Sequence, residues 1–302
     1  MNQCAFYKLR SKKQLARYLK TDLETLNEIK DLIQYSSFKH KVEGKKDREI
    51  TAPNIKLKRL QKRVHELLIR VERPAWLISG ERGKSYIDNA KMHQHCNYAL
   101  CMDIKSFYTN TKREYVFRFF TDKMLMSKDT AKILTDIVTY IGSIPTGSPA
   151  SQLISYYAYH QMFLEIESIS KKHDCIFSLY VDDMTFSSME PIRARTLTKE
   201  IDIILRKHGH RPSYSKTKYY SKTEAKPITG VTLSRYGELL IPNSLHSKIK
   251  RDSELALKKS ELINKNQLNT FRGRLQAARI VKKSAFPELN KFAKALSKTF
   301  DI

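Results

Sequence analysis

Asp182 and Asp183 stand side by side between an apolar run, Cys175-Ile176-Phe177-Ser178-Leu179, and an alternating one, Met184-Thr185-Phe186-Ser187-Ser188. Extended runs on both sides place the acidic pair at a tight turn between two strands of a hairpin. An Asp-Asp pair in an exposed turn is common, but this turn sits on apolar strands. A third carboxylate, Asp103, ends the apolar strand Tyr98-Ala99-Leu100-Cys101-Met102. If that strand lies beside the hairpin, the three acids meet at one end of one sheet. Clustered carboxylates repel unless hard cations, usually Mg²⁺, neutralise them. Two such ions, about 3.5–4 Å apart, activate an attacking oxygen and stabilise the leaving one in an in-line displacement. The chemistry to expect is therefore phosphoryl or nucleotidyl transfer.

The elements that must position these acids alternate between helix and strand. Residues 12–36 read as one amphipathic helix, and 55–72 as another, with Ile55, Leu60, Val64, Leu67, Leu68 and Val71 near one face. The strand at 97–103 is followed by helices near 111–122, 128–141 and 151–169, with a Gly/Pro/Ser-rich turn from Gly142 to Pro149. The acidic hairpin at 175–188 precedes a helix near 191–208 that Gly209 terminates. Short strands near 217–222, 228–233 and 238–241 lead into helices over most of 244–299. This order predicts an α+β body with a late helical appendage.

The 302 residues can bury a sizeable core, and 56 Lys+Arg against 31 Asp+Glu leave a net charge of +25. So large an excess implies a polyanionic partner, most plausibly nucleic acid, because each neutralised phosphate releases counterions. Lys and Arg far outnumber acids from 248 onward, so the helical tail shares this character. No run of 18 apolar residues occurs, and the N-terminus resembles neither a signal peptide nor a lipidation signal. The expectation is a soluble, cytoplasmic protein without a membrane partner. Cys4, Cys96, Cys101 and Cys175 are scattered, as reduced structural thiols would be. His93, His95, Cys96 and Cys101 are crowded, but their spacing matches no usual zinc pattern.

Asp103 with Phe107-Tyr108, then Ile144-Pro145-Thr146-Gly147-Ser148-Pro149-Ala150-Ser151, then Tyr180-Val181-Asp182-Asp183, resembles motifs A, B and C of reverse transcriptases in their order. The resemblance covers about residues 45–282. Asn89-Ala90-Lys91-Met92-His93 is similar to the Asn-Ala-x-x-His signature of the retron subgroup. Ile228-Thr229-Gly230 is similar to its Val-Thr-Gly signature, with Ile for Val. The sequence departs from the pattern at Thr146, where many members have Gln, and at Gln152, where a second Pro is frequent. Ser213 replaces a usual Asn, and Val181 a usual Ala.

The resemblance implies an α+β right-hand polymerase. Residues 1–96 would form N-terminal helices and fingers, 97–240 a palm with inserted fingers helices, and 241–302 a basic helical thumb. It implies an RNA-directed DNA polymerase with two Mg²⁺ ions on Asp103, Asp182, Asp183 and the Ile104 carbonyl. Lys216 matches the lysine that protonates departing pyrophosphate. For the dNTP it implies Arg48 on the triphosphate, assisted by Lys45 or Lys46, Tyr108 under the sugar as a gate against ribose, and Gly147 giving close backbone approach. Asn89, His93, Arg272, Arg274 and Arg279 are the implied nucleic-acid contacts, with Lys282 and Lys283 beside them.

The implied partners are a structured RNA serving as template and primer, its DNA product, dNTPs, and an effector protein. No second acidic metal site is apparent, so a host ribonuclease H would remove template. Synthesis would start from a guanosine 2′-OH, leave branched multicopy single-stranded DNA, and serve anti-phage defence. The alternatives are a group II intron maturase-like enzyme and a non-catalytic RNA-binding scaffold of the same fold.

Overall fold

The computed structural model describes residues 1–40, 47–258 and 264–298, with only the backbone of Arg48 and Lys258. The helix expected over 12–36 is instead three short ones: α1 (Lys12–Leu19), α2 (Leu23–Asn27) and α3 (Ile29–Leu32). Two local signals break it. Lys20 caps α1 in the left-handed region at φ +58, and the Asp22 side chain accepts the Thr25 N–H at 2.6 Å to start α2. The chain then extends into a hairpin that the sequence pattern did not announce, β1 (Tyr35–His40) and β2 (Arg48–Pro53), with Phe38 opposite Ile50. Its first strand is almost wholly exposed, so no apolar alternation marks it.

Helix α4 (Ile55–Leu68) starts at Asn54, whose side chain accepts the Leu57 N–H. It buries Leu57, Leu60, Val64, Leu67 and Leu68, but Ile55 is 73 % exposed. Two residues of helix turn Ile55 about 200° away from Leu57, so it cannot share the buried face. Helix α5 (Tyr86–Lys91) opens on a reciprocal cap between Ser85 and Asp88.

β3 (Tyr98–Asp103) leads to α6 (Phe107–Asn110), α7 (Arg113–Arg118) and a π-helical turn at Phe119–Lys123, where one helix was expected. After α8 (Lys128–Val138), the helix expected over 151–169 is divided at Tyr159 into α9 (Ser151–Ala158) and α10 (His160–Lys172). β4 (Ile176–Tyr180) and β5 (Asp183–Ser188) form the acidic hairpin, and α11 (Ala194–Lys207) ends before Gly209 at φ +77. β6 (Lys218–Tyr220) completes an antiparallel sheet of order β4-β5-β3-β6. The main core packs helices against this sheet through Leu100, Met102, Phe177, Met184 and Phe186.

A smaller sheet follows, β7 (Lys226–Ile228), β8 (Val231–Leu233) and β9 (Leu239–Leu240); Thr229-Gly230, both at positive φ, turns its first hairpin. The last helices, α12 (Asn243–Lys258), α13 (Lys265–Val281) and α14 (Pro287–Lys298), enclose a core of their own around Ile249, Phe271 and Leu275. Among the described residues no helix is long and apolar enough to cross a membrane.

Candidate active site

The sheet register brings the predicted acids together. Asp103 is the direct cross-strand partner of Asp183, and the Ile104 N–H donates to the Asp182 carbonyl at 3.0 Å. Side chains opposite each other in such a pair lie roughly 5 Å apart at Cβ. Asp103 is buried, and Lys216 Nζ donates to its Oδ1 at 2.5 Å. Burial, then the charges of Asp182 and Asp103, push the Asp183 carboxyl up to about 6; Lys216 opposes them.

As placed, no three acidic, histidine or cysteine side chains among the described residues stand close enough to hold an ion, and an ammonium already neutralises Asp103. The donor chemistry still suits a hard divalent cation. The side chains that contribute are all carboxylates, and one of them, Asp183, has its pKa raised by burial and then by the two neighbouring acids.

The acidic turn is strained. Val181, β-branched, sits at φ +62, which costs about 1–2 kcal/mol against an ordinary conformation. The buried Ser79 Oγ accepts the Val181 N–H at 2.8 Å and fixes that turn. Trp76 to Ile78 run alongside β4 through backbone bonds with Leu179, so Ser79 is delivered on a rigid segment. Nothing in the sequence pattern singled out Ser79.

A cleft of about 610 Å³ opens in front of the acids, lined among others by Glu49, Ile50, Tyr108, Thr146, Asp182 and Asp183. Tyr108 is half-buried against Phe107. Burial and, second, the Asp182 charge hold its phenol protonated far above neutral pH. Glu49 and Ile50 belong to the unannounced hairpin, so the cleft has a lid wall from β2.

That wall is clipped to the turn after α8. Thr146 Oγ1 accepts the Thr51 N–H at 3.0 Å, and the Gly147 N–H donates to Thr51 O at 2.9 Å. A Cβ on Gly147 would lie 2.6 Å from Thr51 O. The close approach that Gly147 permits in this structure is to strand β2. Thr146, a departure from the family pattern, supplies the hydroxyl of the clip.

Asn89 and His93 lie inside the protein, which corrects their assignment as nucleic-acid contacts. Asn89 Nδ2 donates to Thr229 Oγ1 at 2.9 Å, so the two short signatures of the retron subgroup touch each other. The His93 ring nitrogens meet Ser187 Oγ at 2.6 Å and Ser178 Oγ at 2.7 Å, one on each strand of the acidic hairpin. Burial pushes His93 down to about 3, so the ring is neutral. Cys101 is half-buried, its thiol facing Pro227 O, and desolvation pushes that thiol up to about 12.

The thumb-side cations divide. Arg274 Nη1 donates to both carboxylate oxygens of Asp252 at 2.7 Å and clamps α13 to α12. Arg279 Nη1 donates to Ala285 O at 3.3 Å. Both have structural partners, whereas Arg272, Lys282 and Lys283 are exposed. The side chain of Arg48, and Lys45 and Lys46 entirely, lie outside the described residues.

Residues 39–233 match the family described as reverse transcriptase (RNA-dependent DNA polymerase). The Retron Se72 reverse transcriptase of Salmonella heidelberg (strain 579083-10) is 28% identical over 193 residues, 63% of this chain and 50% of that one. The Retron Ec83 reverse transcriptase of Escherichia coli is 29% identical over 169 residues, 52% of this chain and 54% of that one. The chain thus spans about half the length of these curated relatives. Among solved structures, apo telomerase from Candida tropicalis, truncated from its C-terminal domain, aligns with a TM-score of 0.52 at 10% identity, over 70% of this chain and 55% of that one. Telomerase from Candida albicans in complex with the TWJ fragment of telomeric RNA aligns with a TM-score of 0.50 at 11% identity, over 88% and 59%. These structures share the fold.

Proposed function

We propose that this chain, which belongs to the reverse transcriptase (RNA-dependent DNA polymerase) family, acts as a retron-type RNA-directed DNA polymerase. Residues 1–96 serve as N-terminal helices and fingers, 97–240 as palm and 241–302 as thumb. The observation that carries the reading is the cross-strand pairing of Asp103 with Asp183 at the edge of a nucleotide-sized cleft walled by Tyr108.

Bound Mg²⁺ supplies activation of the primer hydroxyl and charge neutralisation on the triphosphate. Asp103, Asp182 and Asp183 would hold it, with the Ile104 carbonyl as a further oxygen, once Lys216 leaves Asp103. Tyr108 closes the space where a ribose 2′-OH would sit, and the clipped β2 wall positions the incoming dNTP. Lys216, which reaches Asp103 at 2.5 Å, would be the group that donates a proton to departing pyrophosphate.

The proposed partner is a structured RNA that is both template and primer, copied into branched multicopy single-stranded DNA from a guanosine 2′-OH. The activity would serve anti-phage defence with an effector protein, and a host ribonuclease H would trim the template. The Retron Se72 and Ec83 relatives are named as retron reverse transcriptases, which supports the polymerase part of this reading.

The test is incorporation of labelled dNTP on co-purified RNA, comparing wild type with Asp182→Asn. Synthesis should vanish in the variant while RNA binding persists; equal incorporation by both sinks the assignment. Sequencing the co-purified nucleic acid should show a branched RNA–DNA species, and a linear product would favour a maturase-like enzyme.

A further inference from the structure

A second cleft, of about 500 Å³, lies between the end of α1 and the outer face of α4, and shares no residue with the catalytic cleft. Its floor is apolar and closed, with Leu19 and Leu60 buried. Its rim is basic: Lys20 from the α1 cap, and Lys56, Arg59 and Lys62 from α4, all exposed. Among the described residues none of these four has an ion-pair partner. Arg63, at the same rim, is already committed to Tyr18 O and Glu66.

The fold does not need these charges. Helix α4 is already held by buried Leu57, Val64, Leu67 and Leu68, which do not line the cleft. Four unpartnered cations around one cleft repel one another, and the repulsion is relieved only by an anion. Lys56, Arg59 and Lys62 recur every three residues, which spreads them along about 9 Å of helix. A row of that length can face more than one phosphate of a nucleic-acid backbone. An acidic protein partner would need exposed apolar anchors at its centre. Here the apolar floor is buried, and the surface offered is cationic.

We propose that this cleft is a second nucleic-acid site, gripping the phosphate backbone of a helical part of the partner RNA outside the copied duplex. The proposal rests on the polymerase reading and adds where the uncopied RNA is held. Contacts of this kind are independent of sequence and strongly salt-dependent.

The test compares wild type with the quadruple variant Lys20→Gln, Lys56→Gln, Arg59→Gln, Lys62→Gln. Two probes are used: a labelled RNA hairpin with a long stem and arbitrary sequence, and a short primer–template that reaches only the catalytic cleft. The variant should bind the hairpin about tenfold or more weakly, with the slope of log affinity against log salt reduced by roughly 3. Incorporation on the short primer–template should be unchanged, which also reports that the variant is folded. Unchanged hairpin affinity and salt slope would overturn the proposal. Equal loss on both probes overturns it too, since the cleft would then not be separate from the copying site. If the variant keeps the hairpin but loses an acidic protein partner, the surface is a protein site. Failure of wild type to extend the short primer–template would instead count against the polymerase reading.

Discussion

Lys216 sits on Asp103: its ammonium is 2.5 Å from Oδ1, and it extends from an exposed turn to reach a buried carboxylate. Asp103 is thus neutralised by a side chain that must give way for a divalent cation to use the same oxygen.

Replacement Lys216→Met should therefore tighten Mn²⁺ binding several-fold, read by electron paramagnetic resonance titration of the protein alone. Incorporation should fall by about 10²-fold or more, as loss of a general acid predicts. Unchanged Mn²⁺ affinity would show that the ion pair does not compete.

The clip between the 144–151 turn and β2 makes Gly147 intolerant of a side chain. Gly147→Ala places Cβ against the Thr51 carbonyl, and relieving that overlap costs about 1–3 kcal/mol. Thr146→Val removes only the hydroxyl bonds, worth about 1 kcal/mol. In both, KM for dNTP should rise more than kcat falls, since the β2 wall lines the cleft. An unchanged KM in steady-state incorporation would place the nucleotide elsewhere.

Val181→Gly relieves the positive φ of the acidic turn. Thermal stability should hold or rise by up to about 1 kcal/mol. Incorporation should fall, because a glycine no longer fixes the direction of Asp182 and Asp183. Lower stability with full activity would mean that the valine packs productively and that its strain is unimportant.

Tyr108→Ala should raise rNTP use relative to dNTP, measured as the ratio of kcat/KM for the two sugars. Unchanged selectivity would move the gate to another residue.

His210 is buried among Phe107 and Tyr159, and neither ring nitrogen has a hydrogen-bond partner among the described residues. Burial, then the charges of His208 and Lys112, push it down to about 4. The unfolded chain takes up that proton near pH 6.5. Stability from a neutral His210 is therefore complete above that pH and lost as pH falls toward 4, on the order of 2 kcal/mol by pH 5. His210→Phe should fill the same aromatic site and lose less stability than wild type between pH 7.5 and 5 in urea denaturation. Parallel losses in the two proteins would exclude His210 as the source.

Much of the site could be read from residue order. Asp103 and the Asp182-Asp183 pair follow apolar strands, and period-two patterning is enough to pair their ends. The β1–β2 hairpin could not be read, because its exposed first strand carries no alternating apolar signal. Nor could the breaks at Lys20 and Tyr159, where single backbone conformations override continuous helical periodicity. Asn89 and His93 were found by their spacing, but spacing does not distinguish a residue that touches RNA from one that anchors the hairpin beneath the acids. Ser79 is a lone serine in an irregular segment, and only the folded chain shows what it holds.

The Asn89–Thr229 bond joins positions 140 residues apart in the chain. A growing polypeptide exposes helix α5 long before β7 and β8 exist. Until they emerge, the face formed by Ile87 and Ala90 has no Ile228, Val231 or Leu233 to pack against. Native docking of this helix is therefore a late event in biosynthesis, of the slow, long-range kind. Chains stopped before Thr229 would retain Asp103, Asp182 and Asp183, yet α5 would lack both its polar latch and its apolar partner. Such fragments should present that helix to chaperones and proteases.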